Sequence, residues 1–419
     1  MTIDVETAVA DAHRREWAYV LAATVRIAGD IDLAEECVQD AYARALAKWP
    51  TDGIPGNTGA WLTTVARRRA LDLRRRDVRF DRLRPMLVDD DASSIFEGRD
   101  ASAISDDRLR LIFTCCHPAL SDEAQIALTL RLVCGLTTNE VSRALLVSES
   151  TMAARITRAK KKIAGAHIPY IVPSSEQLPE RISAVLCVVH LVFTAGHTAV
   201  TGDQLVRRDL VERALDLARM LRLLLPENRG VAGLLALILL SDSRRETRVD
   251  VNGRLLLLSE QDRVKWDRSE ISEGVALVRE SLRSRPPERF ALMAAIAAVH
   301  AEAPTWEATD WDEIVGLYDL LTVVWPSPIV ALNRAVAVGF AHGAQAGLDA
   351  IDELATDPTL ASYSYLSSSR AEFLRRLGRN SDATLAFEEA LAFCENTVER
   401  NFLLARLSEA AHSSEESNS

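Results

Sequence analysis

Cys115, Cys116 and His117 follow one another in LIFTCCHPALSDEA (111–124). Two thiols beside an imidazole are the residue types that bind zinc or exchange disulfides. A structural zinc needs four ligands at the corners of a tetrahedron. The next cysteine, Cys134, lies at the far end of the following helical stretch, roughly 18 Å away at 1.5 Å per residue. Neighbouring residues on a helix also point in diverging directions. The spacing describes a helix junction instead. Leu109, Ile112, Phe113 and Cys116 recur at i, i+3, i+4 and i+7, which predicts an amphipathic helix that Pro118 stops. Ser121 is placed to cap a second helix, with Asp122 and Glu123 in its first turn, running to about Val133 with Gly135 as its stop. No metal site is expected.

The other residues with chemical potential lie further on: His190, His197, His300, Asp262, Asp310 and Asp312, with Trp266, Trp306 and Trp311 nearby in sequence. No HExxH, glycine-rich phosphate loop or serine elbow accompanies them. VLCVVHLVF places His190 in an apolar helix as a core histidine, and Asp310 and Asp312 flank Trp311 where capping accounts for them. The expectation is a protein that is not an enzyme and uses no cofactor.

The chain has 419 residues, 48% of them apolar, enough for two or three domains with their own cores. Six cysteines without a framework, and no secretory signal read at the start, suit a cytoplasmic protein. The longest wholly apolar runs, such as VAGLLALILL (231–240), are short for a bilayer, so no membrane partner is expected. The net charge of −11 is uneven. Residues 1–165 carry 24 basic and 24 acidic side chains; the remainder carry 25 and 36. Within the neutral part, ARRRALDLRRRDVR (66–79) holds seven arginines against two aspartates, and ARITRAKKKI (154–163) has five basic residues and no acidic one. Two local basic patches in an acidic protein point to two nucleic-acid contacts.

Nearly every segment has helical periodicity, and none alternates with period two over any length, so the fold class is all-α. Residues 6–48 and 59–77 form one helical block around the turn-rich PTDGIPGNTG, and an acidic, serine-rich stretch (88–107) follows. The second block contains three helices in quick succession. Thr137 and Glu140 make a capping box, a short turn at Leu146–Val147 leads to Ser148, and Ser148 caps the third helix. Met152, Ile156, Ala159 and Ile163 form its inward stripe, while Thr151, Arg155, Arg158 and Lys162 occupy another face. This is a helix-turn-helix. Glu149, Ser150 and Thr151 can reach base edges, and the cations further along, with Lys160 and Lys161, can neutralise phosphates. In the later part, Ala371, Leu374, Gly378, Ala383, Phe387 and Ala390 have tetratricopeptide spacing, and 331–354 repeats it loosely through Gly343, Gly347, Ile351 and Leu354. An ordinary antiparallel helix pair fits either segment alone.

DLAEECVQDAYARALAKWP (32–50), AWLTTVARRRALDLRRR (60–76) and GLTTNEVSRALLVSESTMAARITRAKKKI together resemble the two domains of a bacterial RNA polymerase sigma factor of the extracytoplasmic-function group. The resemblance covers residues 10–78 and 106–165, and the rest is similar to the tetratricopeptide-like extension of one subgroup. It implies region 2 at 1–79, region 4 with the helix-turn-helix at 106–165 and a helical extension at 166–408; composition reads 80–105 as a flexible linker and 409–419 as a disordered tail. It implies core RNA polymerase as a partner, met by exposed Glu35, Gln39, Asp40 and Arg44 with Leu33 and Val38 nearby. Promoter DNA is the other partner. The unpaired −10 strand would meet Asn57, Thr58, Trp61, Arg67, Arg68, Arg69, Arg74 and Arg75, and the duplex −35 element the recognition helix from Ser148 to Lys162. Trp61 reads equally as a core residue. The acidic extension is expected to bind a protein or peptide and to regulate or support activity. Two rivals remain: a helix-turn-helix regulator that acts on duplex DNA without polymerase, and a scaffold with a degenerate DNA-binding half. The segment 32–76 discriminates, because a repressor does not need it.

Overall fold

The computed structural model describes residues 5–81, 107–145, 147–199, 202–283 and 285–417. Regular structure among these residues is helical, and two isolated bridges are the only β pairing. The chain divides into two compact units, residues 1–191 and 192–419.

Unit 1 opens with three packed helices, α1 (Val5–Ala28), α2 (Ile31–Asp52) and α3 (Thr58–Asp81). Leu21, Val25, Val38, Leu62 and Ala66 are wholly buried between them, which removes their apolar surface from water and holds the bundle. The sequence reading ran one helical block across 6–48. The structure breaks it at Gly29, whose φ is +73°, and Asp30 caps α2 by accepting from the Leu33 amide at 2.8 Å. Gly-Asp was the available signal. α3 continues to Asp81, two residues past the expected end of the first domain, and most of the expected linker lies outside the described residues.

The remainder of unit 1 is α4 (Asp107–Cys115), α5 (Asp122–Leu128), α6 (Thr138–Ala144) and α7 (Glu149–Gly165). Ser121 holds the N-cap position of α5 without its hydroxyl bonding an amide. α5 does not reach Val133 as a regular helix; Thr129–Val133 is a π turn, a local widening that periodicity does not reveal. Gly135 ends it at φ +73°, where an added Cβ would stand 2.9 Å from the Trp17 ring.

α8 (Leu178–His197) follows, and its 20 residues are apolar enough, by length and composition alone, to cross a membrane. Ile182, Val185, Leu186, Val189, Val192 and Phe193 are buried, as in a core helix, while Leu191 is exposed.

Unit 2 is a succession of helices: α9 (Arg208–Leu224), α10 (Arg229–Asp242), α11 (Arg268–Ser281), α12 (Arg289–Glu302), α13 (Trp311–Val324), α14 (Pro328–His342), α15 (Ala344–Asp352), α16 (Ser364–Arg376), α17 (Asn380–Phe393) and α18 (Thr397–Ser417). Ala371, Leu374, Ala383, Phe387 and Ala390 are buried in one core with Leu348 and Ile351, the inward positions that the spacing marks. The expected disordered tail is corrected: α18 runs on to Ser417.

Candidate nucleic-acid and polymerase interfaces

The helix-turn-helix is built by its caps. Thr137 Oγ1 accepts from the Glu140 amide at 3.2 Å, and the Glu140 carboxylate accepts from the Thr137 amide at 2.7 Å. Ser148 Oγ accepts from the Thr151 amide at 3.2 Å and starts α7. Met152, Ile156, Ala159 and Ile163 are buried, as the inward stripe requires. Glu149, Ser150, Thr151, Arg158, Lys161 and Lys162 are exposed and Arg155 is half-buried. Glu149 is tied to the Asn139 amide at 2.9 Å, which links the two helices of the motif.

On α3, Asn57 Oδ1 accepts from the Ala60 amide at 2.9 Å, so this exposed residue caps the helix. Thr58 is half-buried beside it. Trp61 is also half-buried, its ring edge-on to buried Trp49 at 5.6 Å between centroids. Three of the arginines brace the bundle. Arg67 reaches the Ala23 carbonyl at 3.4 Å, Arg74 the Ile27 carbonyl at 2.9 Å, and Arg69 pairs with Asp40 at 3.0 Å. Arg68 and Arg75 are exposed.

On α2, Gln39 and Arg44 are exposed, and Leu33 and Asp40 are half-buried. The expected exposure of Glu35 is corrected, and Val38 is core. Glu36, Ala43 and Leu46 share the exposed face and were missed; their i, i+7 and i+10 positions relative to one another were the available signal.

Glu35 is buried because α7 covers it. Its side chain is 6% exposed; Lys160, at 13%, donates to its carboxylate and pairs with Asp32 at 2.6 Å. Arg131, from the π turn, lies 2.8 Å from the other Glu35 oxygen, at an angle too poor for a full hydrogen bond. Burial alone would lower the Lys160 ammonium, but Glu35 and Asp32 more than offset this and hold it above its ordinary value. Lys160 is thus turned to α2, where the sequence placed it on DNA. Further links cross the same boundary. Trp17 Nε1 donates to the Leu132 carbonyl at 3.0 Å, with Arg131 over its ring at 5.8 Å. Buried Tyr170 donates to the Ala22 carbonyl at 3.0 Å, and Arg26 stands 3.5 Å from Asp107.

The Cys115–Cys116 pair is core, as the junction reading held. Both thiols are buried, Cys116 lies 3.5 Å from Thr129 Oγ1, and burial pushes Cys116 up to about 12, so neither is a thiolate at neutral pH. In unit 2, Asp310 caps α13 by accepting from the Glu313 amide at 2.8 Å, and Trp266 is buried with its Nε1 on Thr247 at 3.0 Å.

Comparison with known proteins gives three family matches. Residues 12–80 match the family described as sigma-70 region 2, residues 110–163 match sigma-70 region 4, and residues 181–282 match a family of unknown function (DUF6596). These matches place a sigma factor's two conserved regions in unit 1. The chain is 30% identical over 169 residues to the ECF RNA polymerase sigma factor SigK of Mycobacterium tuberculosis, covering 38% of this chain and 84% of the relative. SigK of Mycobacterium bovis gives the same values. The uncharacterized protein R00370 of Rhizobium meliloti is 41% identical over 395 residues, 93% of each chain. The chain belongs to the extracytoplasmic-function RNA polymerase sigma factors. It is an alternative sigma factor that initiates transcription, and its class implies core RNA polymerase and promoter DNA as partners.

Proposed function

We propose that unit 1 in isolation is a closed form of the sigma factor, and that engaging polymerase and promoter requires its two domains to separate. The carrying observation is the burial of Glu35 beneath Lys160 and Arg131. In the open form α2 meets core polymerase through Gln39, Asp40, Arg44 and neighbouring Leu33, and Glu35 joins them once uncovered. The Asn57–Trp61 corner and the α3 arginines hold the −10 strand, and α7 reads the −35 duplex from Ser148 to Arg158, with Lys160–Lys162 on phosphates. Elements near −35 and −10 lie about 25 base pairs apart, about 85 Å at about 3.4 Å per pair. Domains joined through Lys160 and Glu35 do not span that distance. The 25 residues 82–106 between them have a maximum contour of about 85 Å, which allows the separation. Binding energy from strand and phosphate contacts drives duplex opening, with no reaction catalysed by the sigma factor itself.

Unit 2 is read as a regulatory or supporting module of the cytoplasmic transcription machinery, which fits the excess of acid after residue 165. Purified chain, an Arg44→Glu variant and a chain ending at residue 177 are compared for binding to core polymerase and for transcription from a cognate promoter. The reading expects Arg44→Glu to weaken polymerase binding at least tenfold and the truncation to alter transcription. Unchanged transcription by the shortened chain would remove the regulatory role.

A further inference from the structure

Unit 2 encloses a half-open cavity of about 330 Å³, within the range of small-molecule sites. α14, α16, α17 and α18 wall it, and the loop at 255–259 with Trp306 closes one side. Phe340, Phe373, Phe387, Phe402 and Leu403 make the lining chiefly apolar, with Ser364, Ser368 and Ser369 as a hydroxyl strip along α16. Four charged groups reach it: Glu372, Arg376, Glu399 and Arg406.

Three of the four are neutralised by protein partners. Glu372 is held by Arg375 at 2.9 Å and by Arg376 at 3.0 Å, and Arg376 also lies over the Phe340 ring at 4.5 Å. Arg406 meets Glu409 at 3.0 Å and Glu260 at 3.8 Å. Glu399 differs. Its carboxylate accepts from the neutral Tyr365 hydroxyl, and it takes part in no ion pair among the described residues. The cation that acts on it from a distance, Arg248, is committed to the His197 carbonyl and the Thr198 hydroxyl. Glu399 is also held in place. Buried Asn396 anchors the start of α18 to the Ala199 and Gln204 carbonyls at 2.8 and 3.0 Å and caps it through the Glu399 amide at 3.2 Å.

A carboxylate with no ion-pair partner among the described residues, set in an aromatic cavity, is complementary to an organic ammonium: the charge is matched by Glu399 and the apolar body by the ring faces. We propose that this cavity binds a small organic amine with an apolar body, its ammonium on Glu399 beside Tyr365. Burial already holds the Glu399 carboxyl above its ordinary value, which agrees with a missing cation. This proposal does not depend on how the sigma domains act.

The test is calorimetric titration of the full chain with three probes of equal shape: 3-phenylpropylamine, 3-phenylpropanol and 3-phenylpropionate. The amine is expected to bind at least tenfold tighter than the other two. Glu399→Gln should lose that preference, and Ser368→Leu, which fills the cavity without touching a charge, should abolish binding of the amine. Should Glu399→Gln fail to fold, the probe series and Ser368→Leu still decide. Tighter binding of the carboxylate, lost in Arg376→Gln, would make this an anion site and overturn the proposal. Absence of binding by all three probes at millimolar concentration would overturn it as well.

Discussion

Lys160 of the DNA-recognition helix and Glu35 of the α2 helix, 125 residues apart, hold one another in an ion pair almost closed to solvent. On the proposed reading each belongs to a surface that the promoter complex uses, so one contact withholds part of both. Removing one partner of a buried pair commonly costs about 3–5 kcal/mol, because the other charge stays desolvated. Here the cost is limited by opening, which returns Glu35 to water. Lys160→Met is therefore expected to enlarge the radius of gyration of the free protein, read by small-angle scattering. Tyr170→Phe, which removes the hydroxyl shared between the Ala22 carbonyl at 3.0 Å and the Asp107 carbonyl at 3.3 Å, should act in the same direction by about 1 kcal/mol. Radii identical to the parent protein in both variants would mean that the closed form does not rest on these contacts.

Residues on α7 should separate by role. Arg158 is exposed and far enough along the helix to meet phosphate, whereas Thr151 stands at its start. Arg158→Ala is expected to weaken binding to all promoter sequences and to lower the salt slope by about 1. Thr151→Ala should leave the slope intact and change the preference among −35 sequences. Fluorescence anisotropy at several salt concentrations distinguishes the two; equal slopes in both variants would remove the phosphate assignment.

Acid should weaken unit 2 through its buried histidines. His300 lies against Trp311, and burial, with Arg244 and Arg263 nearby, lowers it to about 4. Its neutral form is the folded one. Below the ordinary histidine value of about 6.5 the unfolded chain gains a proton that the folded chain refuses until about 4. Stability from this group is thus full above about 6.5 and falls by about 1.4 kcal/mol for each pH unit within that window. Glu270, pushed up to about 7 chiefly by burial, works the other way, since its folded form takes the proton first. The comparison is therefore made with His300→Gln. That variant should lose less stability between pH 7 and pH 5 than the parent in urea unfolding, and parallel curves would refute the assignment.

The fold was readable where local chemistry is strong. Caps at Thr137 and Ser148, the Met152–Ile163 stripe and the Ala371–Ala390 spacing all describe what forms, because each depends on neighbours within one or two turns. Glu35 was misread for the opposite reason. Its position in the buried Ile31–Val38–Tyr42–Ala45–Trp49 stripe of α2 was a local signal, but its partners Lys160 and Arg131 lie far along the chain. The π turn at Thr129–Val133 was equally hidden; its Leu132 carbonyl accepts from the distant Trp17. Arg67, Arg69 and Arg74 are expected at the −10 strand from the resemblance; in the structure they also have bracing partners inside the bundle, which the sequence did not reveal.

The closed-to-open account is tested most directly by distance. Paired labels on exposed Gln39 of α2 and Lys162 of α7 report the separation of the two domains by energy transfer, in the free chain and in the complex with core polymerase and promoter DNA. The account predicts high transfer in the free protein and a separation longer by several tens of ångströms in the complex. Equal distances in the two states would contradict it.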